Sequence, residues 1–146
     1  MSKNKKILIV GGTGFIGYHL AKKCLRKGWI IHSLSSKKPT KKRFLKGVKY
    51  LIYDITKKKN LRNKLKDKYN FVVNLGGYVD HKNIKKTYRS HFLGCKNLTE
   101  IFIDRDINSF IQIGSSNEYG KSKSPQNERM KSKPVSIYGL SKLYAT

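Results

Sequence analysis

Short apolar runs alternate with helical patterns along this chain. Ile7-Leu8-Ile9-Val10 is a continuous apolar run closed by glycine, the pattern of a strand buried on both faces. Phe15 to Lys27 reads as a helix, with Ile16, Leu20 and Cys24 forming a stripe expected to face a sheet and Gly28 as its stop signal. Trp29 to Leu34, Tyr50 to Tyr53, Phe71 to Leu75 and Phe110 to Ile113 supply four further strand signals. Ser35 to Lys46 reads as a loop. Thr56 is a candidate cap for a short helix whose apolar pair is Leu61 and Leu65. Lys82 to Asp104 is the longest helical pattern, with Ile84, Tyr88, Phe92, Cys95, Leu98 and Phe102 recurring at threes and fours. A polar, Lys-rich loop from Gly120 to Pro134 precedes a last helix beginning near Ser136. The order predicts an α/β fold, a parallel sheet covered by helices on both faces, with no internal repeat and no second domain.

The sharpest local signal lies between the first strand and the first helix: Gly11-Gly12-Thr13-Gly14-Phe15-Ile16-Gly17. A dinucleotide pyrophosphate must approach the helix N-terminus closely enough for free backbone N–H groups and the helix dipole to hold it. Gly11 suits the tight turn, Gly14 the close phosphate approach, and Gly17 the packing of helix on strand.

This GxxGxxG spacing resembles the short-chain dehydrogenase/reductase superfamily, and later segments of the chain agree. Asp54-Ile55 is similar to the pair that contacts adenine in that family, and Asn74-Leu75-Gly76-Gly77 to its small-residue turn beside the cofactor. Ser115-Ser116-Asn117-Glu118-Tyr119-Gly120 resembles the serine-bearing end of strand five. Pro134-Val135-Ser136-Ile137-Tyr138-Gly139-Leu140-Ser141-Lys142 resembles the active-site segment of the extended branch, the NAD-dependent epimerase/dehydratase family. The resemblance implies a Rossmann-type sheet and catalytic roles for Ser115, Tyr138 and Lys142. Tyr138 and Lys142 share one helix face a turn apart, and a neighbouring ammonium favours a phenolate. Tyr138 would exchange a proton with a substrate oxygen, Ser115 would hydrogen-bond that oxygen, and Lys142 would also hold the nicotinamide ribose. Cofactor contacts are expected from Gly11, Thr13, Gly14, Phe15, Ile16, Gly17, Ser35, Ser36, Lys37, Asp54, Ile55, Leu75, Gly76, Gly77, Tyr138 and Lys142.

Departures from the family pattern refine the expectation. NAD users carry a carboxylate at the end of strand two for the ribose 2′-hydroxyl. Ser35 stands there, followed by Ser36, Lys37 and Lys38, so NADP is preferred over NAD. Dehydratases have an Asp-Glu pair where this chain has Ser116-Asn117, which favours a 4-keto-sugar reductase or a 4-epimerase. His91 replaces an asparagine that supports proton relay, and a surface or packing role is the expectation for it. Glu118 and Glu128 are expected to be solvated loop charges. His19, His32 and His81 have no metal-type spacing.

Composition adds constraints. The 146 residues carry 33 Lys plus Arg against 8 Asp plus Glu, a net charge of +25, with 38% hydrophobic and 28% charged positions. Only six of the cations are Arg, the usual base reader, and lysines lie in every segment, as on a solvated surface. No specific nucleic-acid binding is expected, although an anionic-polymer binder driven by the charge stays open as an alternative. No apolar run approaches the ~20 residues of a membrane span, and no cleaved signal is read. Cys24 and Cys95 are expected to be reduced and buried in a cytoplasmic protein.

The sequence ends at Thr146, four residues beyond Lys142, whereas extended-family members continue for about as many residues again. The resemblance therefore implies an incomplete domain, truncated after the fifth strand and the start of the active-site helix, with its substrate domain absent. The implied parent is an NAD(P)-dependent enzyme acting on a nucleotide-diphosphate sugar in polysaccharide synthesis. This chain is expected to be inactive alone. A non-catalytic NADP-binding module or a truncated gene product is the alternative, and uncovered apolar sheet surface predicts marginal stability or association, for instance as a homodimer.

Overall fold

The structure, a computed structural model, describes residues 5–146. Five parallel strands form one sheet in the order β3-β2-β1-β4-β5: β1 (Lys6–Val10), β2 (Ile30–Ser35), β3 (Val48–Ile52), β4 (Phe71–Asn74) and β5 (Ser109–Gln112). β1 is central, with Leu8 in register with His32 of β2 and Val72 of β4. Its continuous apolar run follows from burial on both faces. Leu8 and Val10 enter one core with Leu34, Leu61, Leu65, Val72, Leu98 and Phe102, and Ile7 and Ile9 enter the other with Ala21, Cys24, Ile31 and Val73. The order of the strands reverses between β1 and β4, which opens a crevice beyond their carboxyl ends. No helix among the described residues is long and apolar enough to cross a membrane.

The helices are α1 (Phe15–Arg26), α2 (Leu61–Lys64), α3 (Ile84–Tyr88), α4 (Gly94–Phe102) and α5 (Ile137–Leu143). Three depart from their sequence patterns. The face of α1 on the sheet is Gly17, Ala21 and Cys24, while Ile16 is 62% exposed. The cause is Gly17, where a Cβ would stand 2.4 Å from the Gly11 carbonyl oxygen. Seating that glycine under the turn rotates the preceding residue outward. Thr56 caps nothing: its N–H is accepted by the Asp54 carboxylate (2.9 Å), and α2 starts after Asn60 in a left-handed conformation. The long helix is broken by a π-helical turn over Arg89–Leu93, between α3 and α4. The altered register buries Thr87 and His91 and leaves Ile84 exposed, contrary to the threes-and-fours pattern.

Candidate active site

A cleft of about 550 Å³ occupies the crevice at the strand ends. It gathers most of the expected cofactor contacts from four loops: Gly11, Thr13, Gly14 and Phe15; Ser35 and Ser36; Asp54 and Ile55; Leu75, Gly76 and Gly77. Ile16, Gly17, Lys37, Tyr138 and Lys142 do not line it. Gly17 instead packs beneath Gly11 and Gly12, Lys37 is exposed, and Ile16 lies on an outer apolar patch with Phe15 and His19.

The floor suits an anion. Gly14 is the N-cap of α1 and brings no side chain, no side chain caps the helix, and its first turn holds no acidic residue. The opening N–H groups therefore have neither an intrahelical nor a side-chain partner. Gly11 turns the chain with φ of +76° under the Leu75 carbonyl. The rim is polar and basic: Ser35 Oγ accepts the Thr13 N–H (3.3 Å), and Arg43 Nη1 donates to the Thr13 carbonyl (3.4 Å). Arg43 was not singled out by the sequence pattern, because it lies in a stretch read only as a basic loop. The opposite wall is fixed by Asn74, whose side-chain oxygen accepts the Gly76 N–H (3.0 Å) while its Nδ2 donates to Gln112 (2.7 Å). Residues of this kind fit a dinucleotide.

The catalytic candidates lie outside that lining: Tyr138 and Lys142 are on α5, which packs on the turn that follows Ser115, and His91 stands between Tyr138 and Gly77 of the cleft wall. Ser136 caps α5 by accepting the Gly139 N–H (3.0 Å), and α5 presses on the short turn Ser116–Glu118, where a Cβ at Gly139 would stand 2.4 Å from the Asn117 carbonyl oxygen. Tyr138 is half-buried, with Lys142 Nζ 6.0 Å from its ring centroid. Lys142 is only 6% exposed and donates to the Ile113 carbonyl (2.7 Å). Burial pulls its pKa below the ordinary lysine value, and the Glu118 carboxylate opposes that shift. Ser115 Oγ accepts the Asn117 N–H (3.2 Å), which leaves its own proton free to donate.

Glu118 is not the solvated charge its loop setting implied. It is 8% exposed, its Oε1 accepts the Ser115 N–H (2.6 Å), and its Oε2 accepts from the Thr146 hydroxyl (3.3 Å). It closes a capping box with Ser115, a spacing of Ser and Glu three apart that was present in the sequence. Glu118→Ala is expected to cost about 1–3 kcal/mol by stranding the Ser115 N–H and weakening the support of Lys142. Urea denaturation measures it, and an unchanged midpoint would contradict the role. His91 is buried as a packing residue, with Nε2 donating to the Tyr78 carbonyl (3.2 Å). Burial lowers its pKa from 6.5 to about 4, with the Tyr78 contact opposing and Lys142 and His81 adding to the shift.

Residues 7–146 match the NAD dependent epimerase/dehydratase family. The chain belongs to that family. No curated protein sequence is similar enough to match it. Among solved structures, the chain superposes on the UDP-Glc/GlcNAc 4-epimerase from Campylobacter jejuni with a TM-score of 0.88 and 25% identity, covering 97% of this chain and 47% of that one. The Bordetella bronchiseptica enzyme WbmG, solved in complex with NAD and UDP, gives a TM-score of 0.89 at 19% identity, over 98% and 48% of the two chains. UDP-glucose 4-epimerase from Thermotoga maritima, solved with UDP-glucose, gives 0.87 at 19%, over 96% and 48%. The chain thus spans just under half the length of each, and it shares their Rossmann-type fold.

Proposed function

We propose that this chain is the dinucleotide-binding half of an NAD(P)-dependent nucleotide-sugar oxidoreductase of the 4-keto-sugar reductase or 4-epimerase type. The observation that carries the reading is the cleft at the uncapped N-terminus of α1, with Tyr138 and Lys142 a turn apart on α5 beyond the Gly76-Gly77 turn. In this reading the α1 N–H groups take the pyrophosphate, and Asp54 and Ile55 take the adenine end. The nicotinamide ring, when bound, supplies the two-electron hydride acceptor or donor. Tyr138 moves the proton at the substrate oxygen, and the free Ser115 hydroxyl donates to the same atom. Lys142, kept near by the Ile113 carbonyl, contributes positive charge beside the phenol. Glu118 is engaged by Ser115 and Thr146, and this argues against its serving as the extra acid of a dehydratase. The substrate class, a nucleotide-diphosphate sugar, is taken from solved relatives with UDP or UDP-glucose bound, of whose length this chain spans just under half. Titration of the chain with NADPH and NADH tests the reading. Saturable binding without turnover of UDP-sugars is expected, and no affinity for either nucleotide would overturn it.

NADP is the preferred form. Ser35 and Ser36 offer hydroxyls without a repelling carboxylate, and Arg43 stands at the same rim. Arg43→Ala is expected to weaken NADP⁺ binding about tenfold, roughly 1.4 kcal/mol, with NAD⁺ binding little changed. Calorimetric titration with both nucleotides decides this, and equal losses would refute the preference.

A further inference from the structure

Outside the groups assigned above, the strongest cluster in the molecule is aromatic and surrounds Tyr138. The His81 imidazole is stacked on the phenol face, with ring centroids 4.0 Å apart and planes 12° from parallel. His91 meets the same ring edge-on at 5.0 Å and 79°, and the two imidazoles lie 5.8 Å apart at 70°. His91 is fixed from behind. It is buried in the π-helical turn and tied to the Tyr78 carbonyl, and a Cβ on Gly77 would come within 2.3 Å of its Cε1. Only a glycine at that position lets the ring lie there. His81, in contrast, is exposed, on the loop joining β4 to α3.

We propose that His81 and His91 are positioning residues that hold the Tyr138 ring in one orientation, His81 from its face and His91 from its edge. The proposal rests on the assignment of Tyr138 as the proton-exchanging group. A phenol must present its oxygen to the substrate within hydrogen-bond reach, and a half-buried ring free to swing about its side-chain torsions spends only part of its time there. The two contacts remove that freedom. His91 also stands between Gly77, on the cleft wall, and Tyr138. A group that settles against the Gly76-Gly77 turn therefore bears on the support of the phenol.

Nuclear magnetic resonance of the chain with ring-labelled tyrosine tests this, Tyr138→Phe identifying the resonance. The stacked imidazole should displace the Tyr138 ring protons upfield. His81→Ala should abolish that displacement and His81→Phe, which keeps the stack, should restore it. His91→Gln, which keeps a donor for the Tyr78 carbonyl, should move the same resonances while the amide signals of β1 and β2 stay in place. Tyr138 signals that are indifferent to His81→Ala would overturn the proposal, and so would failure of His81→Phe to restore them. The His81 pair decides the matter even if the His91 variant does not fold. Titration of the same sample with NADPH separates the two levels. Nucleotide binding without the stacking signature refutes the clamp alone, and the signature without nucleotide binding refutes the functional reading alone.

Discussion

Gly11→Ala is expected to destabilise the fold by about 2–5 kcal/mol and to abolish nucleotide binding. Two effects add. With φ of +76°, Gly11 occupies the left-handed region, where a Cβ costs ~1–2 kcal/mol. That Cβ would also stand 2.8 Å from both the carbonyl carbon and the oxygen of Leu75, backbone atoms at the end of β4 that cannot step aside. Overpacking of this kind costs ~1–3 kcal/mol. The sum is a large part of a typical stability of ~5–15 kcal/mol. Gly28 provides the control: its φ is +72°, but nothing lies within 4 Å of a Cβ there. Gly28→Ala should therefore lose only the conformational part, ~1–2 kcal/mol. Urea denaturation of both variants checks the account. Equal losses would show that close approach to the β4 turn contributes nothing.

The protein is expected to lose about 3 kcal/mol of stability through His91 alone as pH falls from 6.5 to 4. The sign follows from linkage. His91 has a pKa of about 4 when folded and 6.5 as its ordinary value, so between these limits the unfolded chain binds more protons and acid favours unfolding. The shift of about 2.5 units corresponds to about 3 kcal/mol. Stability is retained above pH 6.5, and the loss is complete below about 4. His32 adds in the same direction: burial and Lys49 hold its pKa below the ordinary value, and Asp67 opposes them. Stability curves for the wild type and His91→Asn, measured from pH 7.5 to 4, isolate the first contribution because the carboxylates titrate in both. The curves should converge toward acid, and parallel curves would contradict the burial of a neutral His91.

How much of this could be read beforehand depended on whether local chemistry or tertiary packing decided each feature. The central strands were legible because a parallel sheet covered on both faces demands unbroken apolar runs, as in Ile7 to Val10. The glycine turn was legible because each glycine answers a steric demand. The inward face of α1 departs from its apolar stripe because burial there is set by Gly17, a residue without hydrophobic signal. The π-helical turn has no periodicity that announces it, so the inward register of Thr87 and His91 could not be foreseen. Glu118 carries a charge in a polar loop, the ordinary mark of a solvated residue, and only its spacing of three from Ser115 points to the capping box that buries it. His81 had no signal at all, since its place over Tyr138 comes from a loop that only the assembled sheet brings near.

In the proposed complex a diphosphate rests at the start of α1. Backbone amide spectra of the chain recorded during addition of NADPH test this directly. The largest displacements should fall on Thr13, Gly14, Phe15 and Gly76, saturating together with a single affinity. Displacements concentrated elsewhere, for example around Asp67 and Arg105 at the separate depression they line, would contradict it, as would a spectrum that does not change at all.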